Sequence, residues 1–220
     1  GAFSAEVDLT IGKTVKSSGE TSVDPEDNVD RAGLLDNFNR PDGPIGSAWT
    51  NQAGVFNVVS NAAQGGSSAL ATYGGVASDT LEADVEAVST NLQYTGMVLG
   101  YADIDNNYFI KVQNNGGVVQ FTHAAFYYGN NGSGNFFGLD ENFTTAHMAV
   151  SVSGTIVTLT FSNIDGGTKT DQVYSYDYGT STGGNAIGIC GYENIARLDN
   201  FSSTSGPPIQ WTYCLQDPAY

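Results

Sequence analysis

The chain has 220 residues, with 28 glycines, 12 tyrosines and 11 phenylalanines but only 14% charged residues, which is the composition of a turn-rich β-protein with one sizeable core. Seven basic and 23 acidic residues give a net charge of −16, which excludes nucleic acid and anionic membrane surfaces as partners because both require clusters of lysine and arginine. No apolar run approaches the roughly 20 residues of a membrane helix, so membrane insertion is not expected.

The first 34 residues differ in character from the rest of the chain. They are mostly polar, with acidic stretches, but residues 5–11 alternate apolar and polar side chains as a half-buried strand does. We therefore predict an N-terminal arm over residues 1–34 with one strand near its tip. A strand of this kind can add to the sheet of a neighbouring subunit, so we expect self-association through residues 5–11.

From residue 35 onward the sequence indicates about a dozen short strands. Residues 80–87 alternate strictly between apolar and polar side chains, and residues 148–161 alternate on both sides of Gly154, which predicts a hairpin. No segment has sustained helical periodicity, and glycine, asparagine and aspartate separate the strands. The pattern predicts an all-β fold with two packed sheets over residues 35–202.

Two similar segments bracket this predicted domain. It opens with LDNFNRPDGPIGSAW from Leu35 to Trp49 and closes with ARLDNFS from Ala196 to Ser202. Because both segments contain the sequence LDNF, we expect the first and last strands to lie side by side. The segments resemble the D-x-F-x-R-x-x-G-x-x-G-x-x-W and A-R-x-D-N-F motifs of LamG-like, concanavalin A-like jelly-roll domains of secreted bacterial and phage proteins. The resemblance implies a two-sheet jelly-roll sandwich that is extracellular, on the cell surface or on a virion, and the fold alone does not specify a function.

The residues after the last predicted strand, 203–220, form a C-terminal tail. A proline pair ends the strand, and the aromatic segment at residues 209–215 favours burial, so we expect the tail to dock on the domain. A disulfide between Cys190 and Cys214 would tie the tail to the last strands and imply an oxidising compartment. The alternative is a buried Cys190 and an incidental, unpaired Cys214.

The strongest candidates for catalysis are Glu82, Asp84 and Glu86, which share one face of a strand. Their spacing resembles the E-x-D-x-E signature of family 16 jelly-roll glucanases and galactanases. By that resemblance Glu82 is the nucleophile, Glu86 is the general acid/base and Asp84 tunes the pair, as in a retaining glycosidase. The alternative, which we favour, is a solvated acidic face, because glycosidase clefts use aromatic platforms and the chain has only two tryptophans.

Acidic residues in turns make calcium a candidate ligand. Asp103 and Asp105 share one turn with two asparagines, and Asp36 and Asp199 come close together if the end strands pair. Calcium takes carboxylate and carbonyl oxygens in flexible geometry, and the jelly-roll resemblance implies a structural Ca²⁺ near the paired termini. The alternative for Asp103 and Asp105 is an ordinary hairpin turn, which aspartate and asparagine also favour.

Tyrosines beside a glycine- and asparagine-rich loop are the candidates for ligand binding. Tyr127 and Tyr128 precede the loop at residues 129–135, and Tyr174 and Tyr176 belong to an alternating ladder. Aromatic side chains at the base of such a loop can stack on a sugar or contact a partner. The alternative is that about half of these rings belong to the core.

The sequence therefore predicts a non-catalytic structural or recognition module outside the cell or on a virion surface. Its acidic composition and its arm favour an assembly subunit such as a filament, coat or decoration protein. One alternative is a module that binds a polysaccharide or another glycan through the tyrosines. The other is a family 16-like glycoside hydrolase that uses Glu82 and Glu86.

Overall fold

The computed structural model describes residues 33–129, 132, 134–193 and 196–203. Every regular element among these residues is a β-strand, which confirms the all-β prediction. In this part of the chain there is no helix with the length and apolar character needed to pass through a membrane. In chain order the strands are β1 (Leu34–Asp36), β2 (Gly43–Pro44), β3 (Trp49–Ala53), β4 (Phe56–Val59), β5 (Ala62–Gly65), β6 (Ala69–Ala77), β7 (Thr80–Glu86), β8 (Gln93–Tyr101), β9 (Tyr108–Asn114), β10 (Phe121–Tyr128), β11 (Gly134–Phe143), β12 (Thr145–Ser153), β13 (Ile156–Ser162), β14 (Gln172–Asp177), β15 (Ala186–Tyr192) and β16 (Arg197–Ser203).

The strands form two antiparallel sheets that share a core between them. Sheet A has nine strands in the order β14-β13-β12-β7-β16-β5-β4-β2, with β1 also paired to β16. Sheet B has seven strands in the order β11-β10-β9-β8-β15-β6-β3. Strand β7 lies between β12 and β16, which are both far from it in the sequence. Side chains from three distant segments therefore meet in the middle of sheet A.

The first and last strands of the domain are neighbours, as the repeated motif predicts. Leu34 is opposite Ser202 and Asp36 is opposite Phe201 in the antiparallel pair. Beyond this pair, the backbone N–H of Ser203 donates to the carbonyl of Gly33 at 3.0 Å. The first and last strands of the described chain therefore lie side by side in sheet A.

Strict alternation places one face of each strand in the core. On β7 the side chains of Leu81, Ala83 and Val85 are at most 2% exposed, and their neighbours along the strand point to the other face of sheet A. Burying a large apolar side chain contributes roughly 1.5–3 kcal/mol to folding. The largest fully buried side chains include seven phenylalanines, which are Phe38, Phe56, Phe121, Phe126, Phe143, Phe161 and Phe201.

The opening motif is a polar clamp beside an aromatic cluster. One carboxylate oxygen of Asp36 accepts from Arg40 Nη1 at 2.8 Å, and the other accepts from Arg40 Nη2 at 2.9 Å and from Trp49 Nε1 at 2.7 Å. The ring of Trp49 packs against Phe38 and Phe201, with centroids 5.8 Å and 5.2 Å away. Asp36 thus accepts from the indole N–H of Trp49 and from two N–H groups of Arg40, whose Nη2 also donates to the Ile45 carbonyl.

Two predicted regions extend beyond the described residues. The strand at residues 5–11 lies outside them, as does the tail from residue 204 onward. Self-association through the arm and docking of the tail stay predictions.

Candidate functional site

A groove of about 740 Å³ crosses the outer face of sheet A. Its centre is β7, its flanks are β12 and β16, and the turn after β13 closes one side. The lining residues are Glu82, Asp84, Val85, Glu86, Thr145, Ala146, His147, Ser162, Asn163, Gly166, Arg197 and Asp199. The groove therefore combines several hydrogen-bond acceptors with a few cationic or neutral donors.

The three carboxylates predicted to share a face do so, and they form the middle row of the groove. Because Leu81, Ala83 and Val85 enter the core, the alternation of β7 turns Glu82, Asp84 and Glu86 outward. The acidic row itself follows from the alternation within β7. The side chains around it come from β12 and β16, which are distant from β7 in the sequence and pair with it.

His147 on β12 contacts two of these carboxylates. It is directly opposite Asp84 in the β7–β12 pair, and its Nδ1 lies 2.8 Å from Asp84 Oδ1. Its Nε2 lies 3.5 Å from Glu82 Oε2. The imidazole is therefore oriented from both ring nitrogens.

Strand β16 approaches the row from the other side. Arg197 is opposite Glu86 in the register, and its Nη1 donates to Glu86 Oε2 at 3.1 Å. The register then shifts between Asp199 and Ser202, where Asn200 has a φ of 52°. This irregularity lets Asn200 Nδ2 donate to Asp84 Oδ2 at 2.8 Å.

His147, Arg197 and Asn200 were not predicted as site residues. Arg197 and Asn200 belong to the closing motif, so the predicted pairing of the end strands was a signal for them. His147 lies on an alternating strand with no local feature that marks it. Its position follows only from the pairing of β12 with β7.

The groove has no aromatic wall among its described lining residues. Carboxylates held at fixed positions can accept hydrogen bonds from hydroxyl groups, and the guanidinium and amide groups can donate them. This arrangement suits a ligand that presents many hydroxyls.

The predicted ligand-binding tyrosines separate into three environments. Tyr127 lines a groove of about 390 Å³ on the outer face of sheet B, together with Tyr94, Tyr192 and Lys111 among others. The rings of Tyr94 and Tyr192 stack with centroids 5.4 Å apart, and Lys111 Nζ lies 4.0 Å from the Tyr94 ring centroid and 4.9 Å from that of Tyr127. An aromatic surface with one cation is a second possible ligand site.

Tyr128 and Tyr176 line a smaller pocket of about 360 Å³ with Asp105. Tyr128 donates to the Ser181 carbonyl at 3.2 Å. Tyr174 is not among the lining residues of this pocket.

Tyr174 joins β14 to β11. Its hydroxyl donates to Gln172 Oε1 at 2.7 Å and accepts from the backbone N–H of Asp140 at 2.9 Å. Its ring packs on Phe137 and Phe161. Tyr174 is not among the lining residues of the groove that contains Tyr127, and its role in ligand binding stays a prediction.

The carboxylates proposed for calcium lie in different networks. Asp36 holds Arg40 and Trp49 in the opening clamp, whereas Asp199 lines the sheet A groove. Asp103 Oδ1 accepts from the backbone N–H groups of Asp105 and Asn106, both at 2.9 Å, which is the hydrogen bonding of an Asx turn. Within the described residues no group of three or more His, Cys, Asp or Glu side chains is arranged to hold a metal ion. Calcium binding stays a prediction.

Cys190 is buried on β15, with its Sγ 3.8 Å from the Ile110 carbonyl. Burial raises the pKa of this thiol. Cys214 lies outside the described residues, so the disulfide stays a prediction.

No protein-family model and no curated protein matches this chain. Among solved structures, the chain is similar to a protein described as Xyloglucan PUL GH43B from Bacteroides ovatus, with a TM-score of 0.51 and 13% identity over 76% of this chain and 38% of that one. It is also similar to lectin II from Ulex europaeus, with a TM-score of 0.49 and 11% identity over 72% and 93% of the two chains. A third is the Bacillus licheniformis β-glucanase, with a TM-score of 0.47 and 10% identity over 78% and 97%.

At these identities the likeness is one of fold alone. It agrees with the two antiparallel sheets and their shared core. The predicted fold class, an all-β jelly-roll sandwich of two sheets, is confirmed.

Proposed function

We propose that this protein is a LamG-like, non-catalytic recognition module that binds a glycan in the groove on sheet A. The observation that carries the proposal is the row of Glu82, Asp84 and Glu86 in the sheet A groove, held from both sides by His147 and Arg197. Convergent polar groups in a concave site fix the orientation of a bound ligand and give it specificity.

The chemistry of the groove favours a hydroxyl-rich ligand without negative charge. Four carboxylates, one arginine and one histidine line it. Adjacent sugar hydroxyls can donate to a carboxylate, while the arginine can donate to a ring or hydroxyl oxygen. Uronate or sulfate groups would meet like charges, which disfavours acidic polysaccharides.

The contacts of the carboxylates favour binding over hydrolysis. A retaining glycosidase needs one carboxyl group as nucleophile and the other as proton donor. Here Glu86 accepts from Arg197 and Glu82 lies near His147, and the described lining supplies no aromatic ring for substrate stacking. These contacts support a fixed set of acceptors for a bound sugar.

A retaining glycoside hydrolase is the second candidate function. It rests on one observation, the exposure of Glu82 and Glu86 on the same face of β7 within the groove. In that mechanism Glu82 attacks the anomeric carbon, and Glu86 protonates the leaving oxygen and then activates water.

A glycan-binding domain of this kind is suited to a cell surface, a virion or the extracellular medium, where polysaccharides are encountered. An assembly role through residues 5–11 is compatible with it, because the groove lies on the sandwich and the arm strand is a separate segment. In such an assembly each subunit would present one groove.

The test is calorimetric titration of the full chain with a panel of neutral and acidic polysaccharides, with reducing ends measured in the same samples. We expect saturable binding to a neutral glycan, no new reducing ends, and at least about a tenfold loss of affinity in Glu82→Gln and in Arg197→Gln. The matched control is Glu141→Gln, an exposed acidic residue on sheet B.

Other outcomes separate the alternatives. New reducing ends that Glu82→Gln abolishes would establish the hydrolase. Binding that persists in Glu82→Gln but is lost in Tyr127→Ala would move the site to the aromatic groove on sheet B. No binding across the panel would contradict glycan recognition.

A further inference from the structure

The outer face of sheet B carries a second groove, on the opposite side of the sandwich from the acidic row of sheet A. Its volume is about 390 Å³. Most of its lining is aromatic or aliphatic, with one cation, and the side chains that matter here are Leu92, Tyr94, Tyr127, Phe136, Tyr192 and Lys111. Leu92 and Phe136 are 45% and 41% exposed, so the groove offers apolar contact to a ligand.

Strand pairing brings these side chains together. Tyr192 on β15 is opposite Tyr94 on β8, and their rings stack with centroids 5.4 Å apart. Lys111 on β9 is opposite Ala125 on β10, which is in turn opposite Phe136 on β11. The groove therefore crosses five neighbouring strands of sheet B, all of them regular elements of the described chain.

Aromatic rings hold the ammonium group of Lys111 in this groove. Its Nζ lies 4.0 Å from the ring centroid of Tyr94 and 4.9 Å from that of Tyr127. A ring face attracts a cation but carries no net charge, so these contacts orient the ammonium group without neutralising it. The ion pairs among the described residues are made by other side chains, which are Arg40, His147, Lys169 and Arg197 with their carboxylate partners.

Lys111 is thus a charge partly withdrawn from water that lacks a carboxylate partner among the described residues. The side chain is half-buried, and burial lowers the pKa of its ammonium group, because the charged form is less favourable there than in water. The nearby Glu193 interacts instead with the hydroxyl of Tyr192 and raises the pKa of that group. A carboxylate brought by a ligand would form a charge-assisted hydrogen bond with Lys111 and stabilise its charge.

We propose that this groove is a second ligand site, which binds a small aromatic carboxylate with its carboxylate at Lys111 and its flat ring against the apolar side chains. The volume lies near the lower end of the roughly 300–1,000 Å³ of ligand pockets, so it suits a ligand of one or two rings. Charge decides against a neutral sugar in this groove, because such a ligand would leave Lys111 without an anion.

The test compares probes that differ from one another in a single feature. The full isotope-labelled chain is titrated with phenylacetate, its neutral amide phenylacetamide, the amine phenethylamine and the non-aromatic acid glucuronate, while amide chemical shifts are followed by NMR. We expect phenylacetate to bind saturably and at least about tenfold more tightly than each of the others, because it alone brings both a carboxylate and an aromatic ring. The largest shifts should fall on β8, β9 and β10.

The ionic strength of the titration matters because the chain has a net charge of −16, which repels anions over a distance. At about 0.15 M salt this long-range repulsion is largely screened, whereas a contact inside a partly buried groove is screened much less. The comparison of the four probes is therefore made at this ionic strength.

Lys111→Met is the variant that tests the role of the charge, since methionine keeps an apolar stem and removes the ammonium group. We expect the affinity for phenylacetate to fall at least about tenfold, to that of phenylacetamide. The matched control is Lys169→Met, which removes a lysine that already pairs with Asp165 at 2.8 Å and should leave the affinity for phenylacetate unchanged. Circular dichroism checks the fold of both variants, and if Lys111→Met does not fold, the four probes on the unmodified chain still decide the question.

The two proposed sites can fail independently of each other. The grooves lie on opposite outer faces, so we expect saturating phenylacetate to leave the affinity for a neutral glycan unchanged. Loss of glycan binding in the presence of phenylacetate would show that both ligands use one site and would overturn the proposal of a second one. Absence of glycan binding altogether would contradict the proposed function and leave the phenylacetate titration valid.

Several titration results would overturn the aromatic carboxylate site. Absence of saturable shifts with phenylacetate up to its solubility limit would show that the groove does not bind this class of ligand. Equal binding of phenylacetamide, or an unchanged affinity in Lys111→Met, would show that Lys111 does not recognise the carboxylate. Equal binding of glucuronate would remove the role of the aromatic ring, and tighter binding of phenethylamine would show that the tyrosine rings select cations.

Discussion

His147 and Asp84 face each other across the β7–β12 pair, with His147 Nδ1 2.8 Å from Asp84 Oδ1. The second oxygen of Asp84 accepts from Asn200 on β16. The central carboxylate of the groove is therefore fixed from both neighbouring strands. Groups held in place before a ligand arrives lose less conformational entropy on binding, which is the physical benefit of this arrangement for recognition.

The contact between His147 and Asp84 should be measurable as a coupling energy. Both side chains are partly exposed, so we expect a double-mutant cycle of His147→Gln and Asp84→Asn to give about 0.5–1 kcal/mol in urea unfolding. The control cycle pairs Asp84→Asn with Glu141→Gln on the other sheet, where the effects should add. A coupling of zero in the first cycle would show that the contact contributes nothing to the stability of the fold.

The charge of the groove predicts its selectivity among glycans. We expect a neutral polysaccharide to bind and its carboxylated counterpart to fail, because the uronates would approach a row of glutamate and aspartate. The measurement is titration with both polymers at low ionic strength and again in about 0.5 M sodium chloride, where screening is strong. A charge-reversing Arg197→Glu variant should discriminate further against the acidic polymer, and preferential binding of the acidic polymer would refute the assignment of the site.

Local alternation made part of this site predictable from the sequence. Residues 80–87 alternate strictly, so the outward row of β7 and its inward partners could be predicted without knowledge of the fold. The repeated LDNF segments likewise predicted that the first and last strands of the domain, β1 and β16, are neighbours.

The remaining features depend on contacts between segments far apart in the chain. His147 reaches Asp84 only because β12 pairs with β7, and Arg197 reaches Glu86 only because β16 pairs with its other edge. The role of Asp36 was equally hidden. Its oxygens accept from Arg40 and Trp49, contacts that the sequence did not indicate, and its role as a calcium ligand stays a prediction.

The Asp36 clamp predicts a large loss of stability on truncation. Asp36→Ala removes the acceptor of the indole N–H of Trp49 and of the backbone N–H of Phe38, and it leaves the guanidinium of Arg40 with the Ile45 carbonyl alone, so we expect a cost of about 3 kcal/mol in urea unfolding. Trp49→Phe is the matched variant, because it removes only one donor and keeps an aromatic ring among Phe38 and Phe201. It should cost less than Asp36→Ala, and a reversed order would show that ring packing outweighs the clamp.

Tyr178 predicts how stability depends on alkaline pH. Its hydroxyl donates to the Tyr127 carbonyl at 3.1 Å, and burial raises its pKa above the ordinary value of about 10. Above about pH 10 the unfolded chain releases this proton while the folded chain keeps it, so the folded state binds more protons and its stability falls as pH rises. Below that pH the contribution is fully present.

In Tyr178→Phe this contribution is absent at every pH. At about pH 8 the variant should be less stable by about 1 kcal/mol, because the hydrogen bond to the carbonyl is lost. By about pH 11 the parent has lost about 1.4 kcal/mol from this group alone, so the difference should vanish or change sign. Titrating groups that do not interact with Tyr178, including the half-buried Lys111, are common to both proteins and cancel in the comparison. The measurement is urea unfolding of both proteins at both pH values. A stability difference that stays constant would show that the pKa of Tyr178 is the same in the folded and the unfolded chain.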